Sequence, residues 1–120
     1  MKSPNAVIHL SHECARIVEF DAMSMHAAKV EQHAHATRQH GSGVRAEHEF
    51  FGSVCERFGG FTKVLVAGGH TTLADFRHYV DKHRPLVAKH IAGYEIVDHP
   101  TDHQLVAMAR KRFDEFERLA

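Results

Sequence analysis

The chain has 120 residues and a 43% apolar share, enough for one domain of 1–120 with a core that needs no disulfide or metal staple. Lys+Arg and Asp+Glu both total 15, so bulk charge offers no general pull on nucleic acid, and the 13 His are the anomaly, because mild acid turns a neutral chain cationic. Cys14 and Cys55 stand far apart in sequence, which fits a reducing, cytoplasmic setting. The opening MKSPNAVIHL is too short an apolar run for a signal peptide, and no run approaches a membrane span.

In chain order, AVIHL (6–10) and CARIVEF (14–20) are rich in β-branched residues and joined by Ser11-His12-Glu13, which predicts a hairpin. Alternation puts Arg16, Val18 and Phe20 on one face and Ile17 and Glu19 on the other. Residues 27–37 are expected to form a third, more polar strand, with His33 and His35 on one face. A helix is expected over 46–58, where Phe50, Phe51, Val54 and Phe58 make a stripe that Gly59-Gly60 ends. KVLVA (63–67) predicts a buried strand. Thr72 is expected to cap the next helix, whose stripe is Leu73, Phe76, Val80, Val87 and Ile91. Pro85 splits it near His83-Arg84, and Gly93 is expected to end the second piece. YEIVD (94–98) predicts a last strand. Thr101 and Gln104 form a capping box for a helix carrying Leu105, Ala109, Phe113 and Phe116. The order β-β-β-α-β-α-β-α implies a mixed sheet with helices on both faces. Phe50, Val54, Leu65, Phe76, Val80, Ile96, Leu105 and Phe113 are the expected core.

Several chemistries fail on spacing. VLVAGGHTTL (64–73) lacks both the GK[ST] tail of a P-loop and the GxGxxG fingerprint, so its glycines read as a tight turn. Ser11-His12, Cys14 and Ser53 have no histidine partner beyond what so many His supply by chance. The first strand carries His9 and Ser11 where a two-metal nuclease needs carboxylates. His33, His35 and His40 have ligand chemistry for zinc or nickel, and Asp98, His99, Asp102 and His103 form a second cluster at a strand-to-helix turn. Polar loop and turn residues explain both more simply, and no resident metal or cofactor is expected.

AVIHLSHECARIVEF, KVLVAGG and GYEIVDHPTDHQLVAMARKRF together resemble the small bacterial translational machinery proteins. These are similar to the central domain of archaeal and eukaryotic class-1 release factors and of Pelota. The resemblance covers residues 5 to 113, and VDHPTDHQLVAMARKRF is its most specific part. It implies a three-layer α/β/α, ribonuclease-H-like fold with a five-stranded mixed sheet in the order 3-2-1-4-5. In release factors the third strand leads to a loop bearing GGQ. Here that place holds Arg38, Gln39, His40, Gly41, Ser42, Gly43 and Val44, so GSGV replaces GGQ and peptidyl-tRNA hydrolysis is not expected. The resemblance then implies a cytoplasmic, non-enzymatic protein that contacts ribosomal RNA or tRNA through Arg38, His40, Gly41, Ser42, Gly43 and Arg45 in a 38–45 loop. One rival reading is a metal- or pH-responsive protein using His33, His35 and His40. Another is an interaction module, a homodimer through an uncovered strand edge.

Overall fold

A computed structural model describes residues 5–12, 14–21, 23–31 and 42–119, with side chains described only for 46–114 of the last stretch. Five strands form one sheet: β1 (Asn5–Leu10), β2 (Cys14–Phe20), β3 (Met25–Glu31), β4 (Lys63–Gly68) and β5 (Ile91–Ile96). The helices are α1 (Ser42–Glu56), α2 (His70–His83), α3 (Pro85–Ala88) and α4 (Asp102–Leu119), with a 3-10 turn at Arg57–Gly60 after α1. The strand order is β3-β2-β1-β4-β5. β1 pairs antiparallel with β2 and parallel with β4. This is the three-layer α/β architecture, mixed sheet and strand order expected from the resemblance.

Alternation along the strands divides the core in two. Ala6, Ile8, Leu10, Ile17, Val64 and Val66 face α1 and α2. Val7, Val18, Phe20, Leu65 and Ala67 face α4. β4 is buried on both faces, which accounts for its unbroken apolar run. β3 is an edge strand with mostly exposed side chains; Val30 is half-buried against the α1/α2 side.

Several boundaries depart from the sequence reading. β3 starts at Met25 because its ladder follows the whole of β2, from Phe20 opposite Met25 to Cys14 opposite Glu31. The turn into it is closed by Asp21, whose Oδ1 accepts the N–H groups of Met23 and Ser24 at 2.8 Å each. Residues 32–37 of the expected third strand lie outside the described residues. Thr72 is not the cap of α2. Gly69 takes that position, the Leu73 N–H bonds its carbonyl at 3.0 Å, and Thr72 turns inward and is buried. Gly93 does not end a helix: α3 stops at Ala88, Ile91 opens β5, and Gly93 lies within that strand opposite Leu65. Ile96, expected in the core, is 65% exposed, because the end of an edge strand runs past its helix cover. It borders a groove of about 460 Å³ between α2 and β5, where the Arg77 guanidinium lies 5.3 Å from the Tyr94 ring centre. The other seven expected core residues are buried.

Candidate nucleic-acid interface

β3 runs parallel to β1, so its last residue, Glu31, lies at the same end of the sheet as Leu10, the start of the β1–β2 turn. β4 and β5 also finish at that end, and α1, α2 and α4 begin there. In open α/β sheets the carboxyl ends of the strands are where connecting loops and ligands gather. The connection from β3 to α1 leaves from this end.

Of the residues expected to make contact, Arg38, His40 and Gly41 lie outside the described residues, as do His33 and His35. Ser42, Gly43 and Arg45 are placed, and they correct the expected loop. α1 starts at Ser42 instead of residue 46, so these three belong to its first turn. Ser is well suited to a helix start, and a glycine in the first turn costs less than one in the interior.

The described surface around the connection is rich in histidine. His12, in the β1–β2 turn, has Nδ1 3.5 Å from the Glu47 carboxylate on α1. His70 opens α2, and His99 and His103 flank the start of α4. His9 lies on β1 opposite Arg16 of β2. Burial holds the His9 imidazole below its ordinary 6.5, the charge of Arg16 adds to this, and a hydrogen bond with the Asp98 backbone acts the other way. Arg16 reaches the start of α4, with Nε 2.8 Å from Asp102 Oδ1 and Nη2 donating to the Pro100 carbonyl at 2.8 Å. Thr101 and Gln104 make the expected capping box, with bonds of 2.8 and 3.1 Å.

The second histidine–aspartate cluster is not brought together. Asp98 and His99 are 3.4 Å apart but over nine-tenths exposed, whereas Asp102 belongs to Arg16. Among the described residues no group of three or more His, Cys, Asp or Glu could hold a metal ion. The Gly68-Gly69 turn is steric, as expected: a Cβ on Gly68 would stand 2.4 Å from the Leu10 carbonyl oxygen. Sequence reasoning missed the His9–Arg16–Asp102 arrangement. Its signal was present in the three-residue turn, whose register sets His9 opposite Arg16.

No family model matches this sequence, and no curated protein matches it. Solved structures do. Pelota of Archaeoglobus fulgidus superimposes with a TM-score of 0.64 at 16% identity, over 97% of this chain and 33% of that one. Archaeal translation termination factor aRF1 gives 0.56 at 15% identity, over 94% and 39%. S. cerevisiae Dom34, a translation termination-like factor involved in RNA quality control pathways, gives 0.57 at 10% identity, over 96% and 36%. The likeness is one of fold. The chain spans between 33% and 39% of the length of these proteins. Among the described residues no helix is long and apolar enough to cross a membrane.

Proposed function

We propose that this domain is a non-catalytic, translation-related module that associates in the cytoplasm with ribosomal RNA or tRNA. On this reading it is a counterpart of the release-factor central domain, as in the small bacterial translational machinery proteins it resembles. The contact segment is the β3–α1 connection with the first turn of α1: Arg38, His40, Gly41, Ser42, Gly43 and Arg45. The observation that carries the reading is topological. A sheet that superimposes on Pelota with a TM-score of 0.64 sends this connection out at the end where its other loops meet. That end carries His9, His12, His70, His99 and His103. The sequence at the release-factor loop position, GSGV, has no glutamine to orient a hydrolytic water. Arg38 and Arg45 are suited to phosphate contact.

Ribosome co-sedimentation over a salt series tests this. Arg38→Ala with Arg45→Ala should weaken association and lower the salt slope by about two, one unit per phosphate contact. Wild-type affinity should rise between pH 7.5 and 5.5. Peptidyl-tRNA should stay intact on purified ribosomes. Unchanged co-sedimentation of the double variant would discard the segment as the contact, and peptide release would overturn the non-catalytic reading.

A further inference from the structure

His48 on α1 and His83 on α2 face each other on the outer surface of the helix pair. Their ring centres are 5.7 Å apart, with the planes tilted by 58°. The register follows from both helices. His48 and Gly52 are one turn apart on α1, and Tyr79 and His83 are one turn apart on α2. Gly52 has no side chain to block the approach: a Cβ there would be 3.1 Å from the Tyr79 hydroxyl and 3.2 Å from Arg84 Nη2. The Tyr79 ring then forms a floor under both imidazoles, 5.2 Å from His48 and 5.1 Å from His83. Below it the helices are locked by Phe51, which meets Phe76 edge-on at 5.2 Å and Tyr79 at 5.7 Å.

We propose that His48 and His83 form a two-histidine site for a zinc ion that clamps α1 to α2. A zinc ion sits about 2 Å from a ligating imidazole nitrogen, hence about 3 Å from the ring centre, so two rings on a tetrahedral ion have centres about 5 Å apart. The observed 5.7 Å is within a small side-chain adjustment of that spacing, and both side chains are exposed and can make it. Neutral imidazole is a good ligand for zinc. Tyr79 is not a ligand, since its hydroxyl is held by the Arg84 guanidinium, which also lies 4.0 Å from Glu56. Its ring limits water on one side of the ion. Water completes the coordination, because the described residues supply no third protein ligand. The rings beneath are packed on one another, so the ion needs side-chain movement only at the surface.

The test uses the full chain carrying H33Q, H35Q and H40Q, which removes the histidine-rich segment as a competitor. Zinc chloride is titrated while thermal unfolding is followed. A ligand that binds only the folded state at tenfold over its dissociation constant should raise the midpoint of a domain of this size by about 5 °C. The rise should disappear when His48→Gln or His83→Gln is added singly. Each variant serves as its own zinc-free reference, so a general loss of stability does not mimic the result. No rise in the background chain, or a rise that persists in either single variant, would overturn the proposal.

Discussion

The two faces of the sheet are covered by different means. One face carries α1 and α2 and is sealed by rings: Phe50, Phe51, Phe58, Phe61 and Phe76 are all buried there. The other carries α4 alone, whose Leu105, Val106, Ala109 and Phe113 contact the strands, with Phe113 stacked 6.0 Å from Phe20. Five strands about 4.8 Å apart make a sheet about 19 Å wide, and one helix with side chains covers about 10 Å of it. Two helices close that width and one does not. The margins of α4 are instead covered by long basic side chains. Lys63 Nζ lies 5.6 Å from the Phe113 ring centre. Arg110 lies 5.5 Å from that of Phe20 and donates to the Asp21 carbonyl at 2.7 Å. Arg112 pairs with Glu95, and Arg16 with Asp102. Their stems lie on apolar surface and their charged heads reach the margin of the face, although Arg16 Nε is itself buried. The lesson is that a sheet face short of one helix can be finished with cations, at the cost of making that face sensitive to salt and pH.

The sharpest way to break this comparison is to remove a ring from each face. Phe51→Ala should cost about 5 kcal/mol, since Phe51 is fully buried against three other rings. Phe113→Ala should cost about 3 kcal/mol, at the lower end for this change, because its neighbours include the long Lys63 side chain, which can close over the gap. Urea unfolding of both variants decides it. An equal or larger loss for Phe113→Ala would mean that the α4 face is sealed as tightly as the other.

The next effect concerns chemistry behind the two-helix face. Burial pushes the Cys55 thiol up from 9.0 to about 11, so the reactive thiolate is scarcer by about a hundredfold than for an ordinary cysteine. Native alkylation at pH 8 followed by peptide mapping should therefore modify the half-buried Cys14 far ahead of Cys55. Comparable rates would show that α1 opens from the sheet on the labelling timescale.

The same contrast explains what was legible in the sequence. The stripes of α1, α2 and α4 and the run in β4 announced themselves, because burial imposes a period on the apolar residues. Thr101 and Gln104 were equally plain, since a capping box is local chemistry. Thr72 misled because a β-α turn with Gly at the cap leaves no side-chain signal, and a buried Thr resembles a capping one. Ile96 misled because apolar alternation does not tell an edge strand from a central one. The strand order was accessible only through the resemblance to release factors. At the candidate interface the Ser-Gly pair at 42–43 suggested loop, whereas α1 already begins there. Of the cation margins of α4, only the place of Arg16 opposite His9 was implied by the hairpin turn; Arg110 and Arg112 look like ordinary solvated charges until helix position brings them onto the sheet.

A smaller effect lies at one of these margins. Arg16 and Asp102 are each about a third exposed, so their pair should contribute about 1 kcal/mol. A double-mutant cycle with Arg16→Met and Asp102→Asn should return a coupling of that size in low salt and a reduced one in 1 M NaCl. The Phe51→Ala loss should not change in the same way. A coupling indifferent to salt would assign Arg16 to packing and to its bond with the Pro100 carbonyl, leaving the ion pair without net effect.

The smallest effect, and the most specific to this face, is the pH response of His9. It lies on β1 on the α4 side, with Arg16 opposite it, His99 nearby and the Asp98 backbone bonded to it. Burial first and Arg16 second lower its pKa below the 6.5 of an unfolded chain. Below pH 6.5 the unfolded state therefore takes up this proton more readily than the folded one. Linkage then fixes the sign: the stabilising advantage of a neutral His9 is complete above pH 6.5 and is lost as the pH falls toward its lower folded value. The chain holds twelve other histidines, so the quantity to measure is the stability of the wild type minus that of His9→Gln, by urea unfolding at pH 7.5 and 5.5. The difference should move against the wild type at the lower pH. A difference that stays constant would show that His9 takes up its proton as freely in the folded state as in the unfolded chain, and that the α4 face admits water where it meets Arg16.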